Sequence, residues 1–149
     1  MSFRPLFKAS DIEKQLLQWA EAIERAAIER LKFLGEKFIS YCRQTDTYQD
    51  QTGNLRSSVG YAILRNGVTV FESFPGAKDV GVKAGKVAVR EALRELPAGN
   101  YLYLIGVAGM HYALILESKG KDVITGGALH TQAAATAMRD LQTKFNRGR

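Results

Sequence analysis

Tyr48-Gln49-Asp50-Gln51-Thr52-Gly53-Asn54-Leu55-Arg56-Ser57-Ser58-Val59-Gly60-Tyr61 is the stretch on which the reading of this fold turns. Upstream of it the chain reads as one long helix, and downstream as paired strands with helical additions. Thr52-Gly53-Asn54 has the chemistry of a turn, because glycine takes φ > 0 at little cost and asparagine tolerates it. From Leu55 the side chains alternate. Leu55, Val59, Tyr61 and Ile63 fall on one side, and Arg56, Ser58 and Gly60 on the other, which predicts a strand over 55–65. The stretch is a helix-to-sheet joint that sets the register of the strands after it.

Working upstream, residues 1–9 read as a loose arm. Ser10 followed by Glu13 has the capping-box pattern, which predicts a helix from about 11 to 43, roughly 48 Å long. Its apolar face runs through Ile12, Leu16, Trp19, Ile23, Ala27, Leu31, Leu34, Phe38 and Tyr41 at intervals of three and four. Glu21, Arg25 and Glu29 lie four apart on the opposite side and can pair. A second line, Leu17, Ile28 and Ile39, borders the main stripe at a spacing that stays nearly in register along a helix. Two readings of that line stand side by side: a wide face wrapped by a curved sheet, or an edge that meets a neighbouring subunit.

Working downstream, 55–65 and 68–74 form a hairpin joined at Asn66-Gly67, the preferred pair for a type I′ turn. Residues 79–96 read as a helix whose start is weakened by Gly81 and Gly85. Residues 101–108 and 111–118 read as two further strands around Gly109. Both faces of the first of these are apolar, with Tyr101, Tyr103, Ile105 and Val107 on one and Leu102, Leu104 and Ala108 on the other. A sheet with one wet face would alternate polar and apolar, so this one is expected to be covered twice, by a helix and by a partner. Lys119–Gly127 is a loop, 128–145 a closing helix, and 146–149 a frayed basic tail.

With 149 residues, 46% hydrophobic and 24% charged, the chain is expected to form one domain over 1–149. A single cysteine, Cys42, cannot close an internal disulfide. There is neither an apolar leader nor a run long enough to span a membrane, which predicts a protein made in the cytoplasm, without membrane contact.

No pattern of cofactor or metal ligands surrounds His111 or His130. Ser57 and Ser58 lack a nucleophile elbow, and Asp46 and Asp50 suit turn hydrogen bonds. Gly81-Val82-Lys83-Ala84-Gly85-Lys86-Val87 is too short for a phosphate loop. The expectation is a protein that is not an enzyme. Net charge is +6, from 21 basic and 15 acidic residues. Lys83, Lys86, Arg90 and Arg94 fall on one side of the middle helix, opposite Val80, Ala84, Ala88, Ala92 and Leu96. Such a stripe can hold phosphates without reading sequence, contact an acidic subunit face, or simply be solvated.

Two segments carry a family resemblance. Thr52-Gly53-Asn54-Leu55-Arg56-Ser57-Ser58 and, later, Tyr112-Ala113-Leu114-Ile115-Leu116-Glu117-Ser118-Lys119-Gly120 match in order and spacing. Together they resemble the minor tail-component (tail completion or head–tail joining) proteins of tailed double-stranded-DNA phages and prophages. The chain departs from that pattern in Val123-Ile124-Thr125-Gly126-Gly127, where such proteins often carry a Pro-rich segment with Phe, and in the inserted helix near 79–96.

The resemblance implies a virion structural protein made in the bacterial host cytoplasm. It also implies assembly as a homo-oligomeric ring with other tail or connector proteins. It marks Thr52, Gly53, Leu55 and Arg56, with Tyr112 and Glu117, as structure-setting residues at the joint and at a strand end. The expected fold is α+β: a long N-terminal helix on a small, curved, mostly antiparallel sheet, with an inserted middle helix and a C-terminal helix. The alternative function is a small basic module binding duplex DNA non-specifically through Lys83, Lys86, Arg90 and Arg94, with the Arg147–Arg149 tail.

Overall fold

The computed structural model describes residue 6 and residues 8–147, with side chains through Asp140. Most of the expected loose arm, and the last two residues of the expected basic tail, lie outside the described residues. The fold is α+β. A long helix α1 (Ala9–Gln44) leads into a short helix α2 (Asn54–Ser58) and the hairpin β1 (Val59–Arg65) and β2 (Val68–Ser73). Then come α3 (Asp79–Glu95), β3 (Leu102–Ala108), α4 (Ala113–Ser118) and α5 (Thr125–Arg147). The sheet has the order β2-β1-β3 and both pairings are antiparallel.

β1 is central and buried along almost its whole length. Its alternation sends Val59, Tyr61 and Ile63 against Phe38, Ile39 and Cys42 of α1. Ala62 and Leu64 point the other way, onto Val89 of α3 and Val107 of β3. The second cover of the sheet is therefore not a partner subunit. α1 lies on one face and α3 on the other, and the apolar residues on both faces of β3 are used within one chain. The hairpin closes as expected, with Asn66 at φ 50° and Gly67 at φ 77°, the two positive angles a type I′ turn requires. A bulge between Ile63 and Leu64 in the β1–β2 register leaves Val70 as the extra residue.

Several local expectations are corrected. α1 starts at Ala9, where the Lys8 N–H is accepted by the Asp11 carboxylate at 3.3 Å, so Ser10 lies inside the first turn. Leu55–Ser58 is helical. Gly53 enters at φ 73°, and the Asp50 carboxylate accepts the N–H groups of Leu55 (3.4 Å) and Arg56 (2.8 Å), which holds the turn coiled.

Residues 111–118 are not a strand either. Ala113 and Leu116 face inward at helical spacing while Leu114 and Ile115 stay exposed. Gly120, at φ 74°, then stops α4, with its N–H on the Glu117 carbonyl and that of Lys121 on the Leu116 carbonyl, both 3.0 Å. Lastly, α5 begins at Thr125, so Thr125–Gly127, expected in a loop, are helical.

α3 also buries a different line from the one its spacing suggested. Gly81, Gly85 and Val89 are buried while Val80 is exposed. The glycines that weaken its helix propensity let it press on α2. A Cβ at Gly81 would strike the Asn54 carbonyl, and one at Gly85 would lie 2.6 Å from the Ser58 carbonyl oxygen and against the Phe74 ring.

Candidate functional site

The two motifs, far apart in sequence, meet at one end of the sheet. Leu55 from the first packs with Tyr48, Ala113 and Val123, and Tyr112 and Leu116 from the second border the same cluster. Nearly every polar group there has a structural job. Thr52 Oγ1 accepts the Asn54 N–H at 3.3 Å. Arg56 Nη2 donates to the Thr45 carbonyl at 2.9 Å, and its guanidinium lies 5.7 Å from the Tyr48 ring centroid. That ties the end of α1 to α2. Ser57 Oγ accepts the Lys78 N–H at 3.2 Å, and Ser58 Oγ donates to the Leu55 carbonyl at 2.7 Å.

Glu117 does the corresponding work for the second motif. Its Oε1 accepts the N–H groups of Val123 (3.0 Å), Ile124 (2.6 Å) and Thr125 (3.0 Å), and its Oε2 accepts the Thr125 hydroxyl at 2.9 Å. A carboxylate at the start of α5 satisfies donors that a helix leaves open and complements its dipole. Burial raises the Glu117 pKa, but these donors outweigh it and hold the group below the usual carboxylate value. Glu117 thus closes α4 onto the start of α5, three residues earlier than the apolar spacing of α5 suggested. Thr47 adds a second tie, its hydroxyl accepting the Asp122 N–H at 2.9 Å.

His130 stacks on Tyr41 at 5.3 Å and His111 meets Tyr112 edge-on. Cys42 is fully buried, and burial, with Asp122 and Glu117 nearby, pushes its thiol up to about 12. Among the described residues no cluster of three potential metal ligands forms, and no helix is long and apolar enough to cross a membrane.

Three surfaces remain. The basic stripe of α3 keeps Lys83, Arg90 and Arg94 exposed, while Lys86 is half-buried and paired with Glu72 at 2.9 Å. A cleft of about 350 Å³ lies between α1, α5 and the sheet, walled by Leu31, Phe38, Tyr61, Leu104 and Ile124. The third surface is the one sequence reasoning missed. The amino-terminal half of α1 leaves the body of the molecule, and every residue from Ala9 to Ile23 is exposed. The Arg65–Glu24 ion pair, 2.8 Å, ties the helix to the end of β1 just beyond it. Leu17 of the second apolar line lies on this arm, whereas Ile28 and Ile39 pack into the core. The length of the stripe was a signal: it is longer than so small a sheet can cover.

No family model, curated protein or solved structure matches this chain.

Proposed function

We propose that this chain is a structural protein of a phage or prophage virion, a minor tail component at the head–tail junction or tail end. It acts by assembling with copies of itself and with tail or connector proteins. The observation that carries this reading is the projecting half of α1, whose apolar stripe is left without a cover by the described residues. The two motifs of the resemblance add to it, because their polar groups are used in holding the joint together. What the molecule offers to others is surface, and repeated heterologous contacts that close by rotation make rings.

The test is solution mass by light scattering over a wide concentration range at low and high salt, with electron microscopy of the same samples. A discrete multimer with ring-shaped particles is expected. A strict monomer under every condition overturns the ring-forming reading.

A second reading has one observation in its favour. Lys83, Arg90 and Arg94 stand exposed on one side of α3, the arrangement a sequence-independent duplex DNA contact uses. The Lys86–Glu72 pair removes one of the four cations from that stripe, which favours the structural reading.

A further inference from the structure

The exposed arm of α1 carries a more specific pattern than general amphipathicity. Ile12, Leu16, Trp19 and Ile23 follow one another at intervals of four, three and four, the seam of a coiled coil. They are 43%, 60%, 73% and 68% exposed. A seam of this spacing is shaped to receive another helix. The positions that would border it are Glu13, Gln15, Ala20 and Ala22. Two such arms therefore meet without a ladder of like charges, and the alanines let the helices approach closely. The four seam residues expose on the order of 500 Å², more than half of the roughly 800 Å² that each side of a stable interface buries.

We infer that the arms of different copies of this chain pack against one another along Ile12, Leu16, Trp19 and Ile23. The choice of a second copy as the partner rests on the assembly reading above; the seam itself rests on spacing and exposure. Two heptads are short, since isolated helices below roughly 12–15 residues are marginal. Arm pairing is accordingly concentration-dependent and is reinforced when other faces of the subunits join.

Trp19 is the chain's single tryptophan, so its emission reads the seam directly. Mass and tryptophan emission are measured on the same dilution series for the full chain, for Leu16→Asp, and for Leu17→Asp as a control. Leu17 is equally exposed but lies off the seam. The control places the same charge on the same arm and carries the same helix-propensity cost.

The expected result is a blue shift and protection from iodide quenching that rise together with mass. Leu16→Asp shifts that transition to at least tenfold higher concentration, and Leu17→Asp leaves it in place. A multimer whose Trp19 stays solvent-exposed overturns the arm contact while leaving the tail reading intact. So does a multimer that both variants leave unchanged. Trp19 shielded in the monomer shows the arm folded back on its own body and overturns the inference. Shielding that appears only on adding another tail or connector protein overturns the second copy as partner. A monomer with exposed Trp19 throughout overturns both readings.

Discussion

Glu117 shows how much one side chain can hold in this fold. Its carboxylate collects three backbone N–H groups and a hydroxyl at the start of α5, and its pKa is lowered in the folded state. The group therefore binds fewer protons folded than unfolded. Its stabilisation is full above the ordinary glutamate pKa and is lost as pH falls through the lowered one. Glu117→Gln is expected to cost about 1 kcal/mol near neutral pH, the usual loss for a weakened helix cap. The gap from wild type should close in strong acid, and urea unfolding at both pH values measures it; a gap that persists there refutes the charge-based cap.

Glu117 is visible in the sequence as part of a motif, but its role is not. The donors it accepts from lie six to eight residues on, and only the turn between α4 and α5 brings them round. Asp50 is more legible, because a carboxylate just before a Thr-Gly turn has few other uses. Tyr61 is readable only as a core aromatic; its hydroxyl donates to Glu36 at 2.9 Å across the α1–β1 interface, which spacing cannot show.

At the scale of elements, α1 is two helices in one. Phe38, in its carboxy-terminal half, is buried between the sheet and α5, and lies so close to Gly106 that a Cβ there would collide with its ring. Leu16, in the other half, lies on the exposed arm. Phe38→Ala is expected to destabilise the fold by about 3–5 kcal/mol. Leu16→Ala should stay within about 0.5 kcal/mol under monomeric conditions. Urea denaturation compares the two, and similar costs would mean that the arm packs on the body.

The apolar periodicity is continuous through both halves, so nothing local marks where the cover ends. Residues 111–118 mislead for a related reason. Ala-Leu-Ile-Leu is apolar at every position, which leaves helix and strand periods indistinguishable. The stop at Gly120 and the cap by Glu117 decide for the helix. Gly81 and Gly85 look like weak points of α3 in the sequence, yet their lack of a side chain is what allows α3 to lie against α2.

For the whole molecule, the question is where its charge is directed. The arm over 9–23 carries Asp11, Glu13 and Glu21 against Lys14, and residues 24–149 carry 18 basic and 12 acidic residues, so the body holds the same net +6 as the whole chain. On the proposed structural reading, this basic body meets acidic faces of neighbours or is solvated. Isolated subunits are expected to bind duplex DNA no more tightly than non-specific contacts do, about 10⁻⁴ to 10⁻⁶ M at physiological salt. Anisotropy titrations across salt concentrations test this. Submicromolar affinity that falls steeply with salt, and is lost in Arg90→Glu/Arg94→Glu, would make DNA binding the function.

The sequence by itself determined the features whose causes are local. These are the presence and extent of α1 to within two residues, the Asn66-Gly67 hairpin, and α3 with its basic side. Each arises from backbone preferences or periodicity within a few residues. The tertiary structure decided what depends on distant partners. It brought Leu55 and Ala113 into one cluster, put α1 and α3 on opposite faces of the sheet, and coiled Leu55–Ser58 around the Asp50 carboxylate. Above all it decided which half of the long apolar stripe is core and which is surface. A stripe records only that something apolar covers it. Whether the cover comes from the same chain depends on how far the sheet and α5 reach, and the described residues leave the arm exposed.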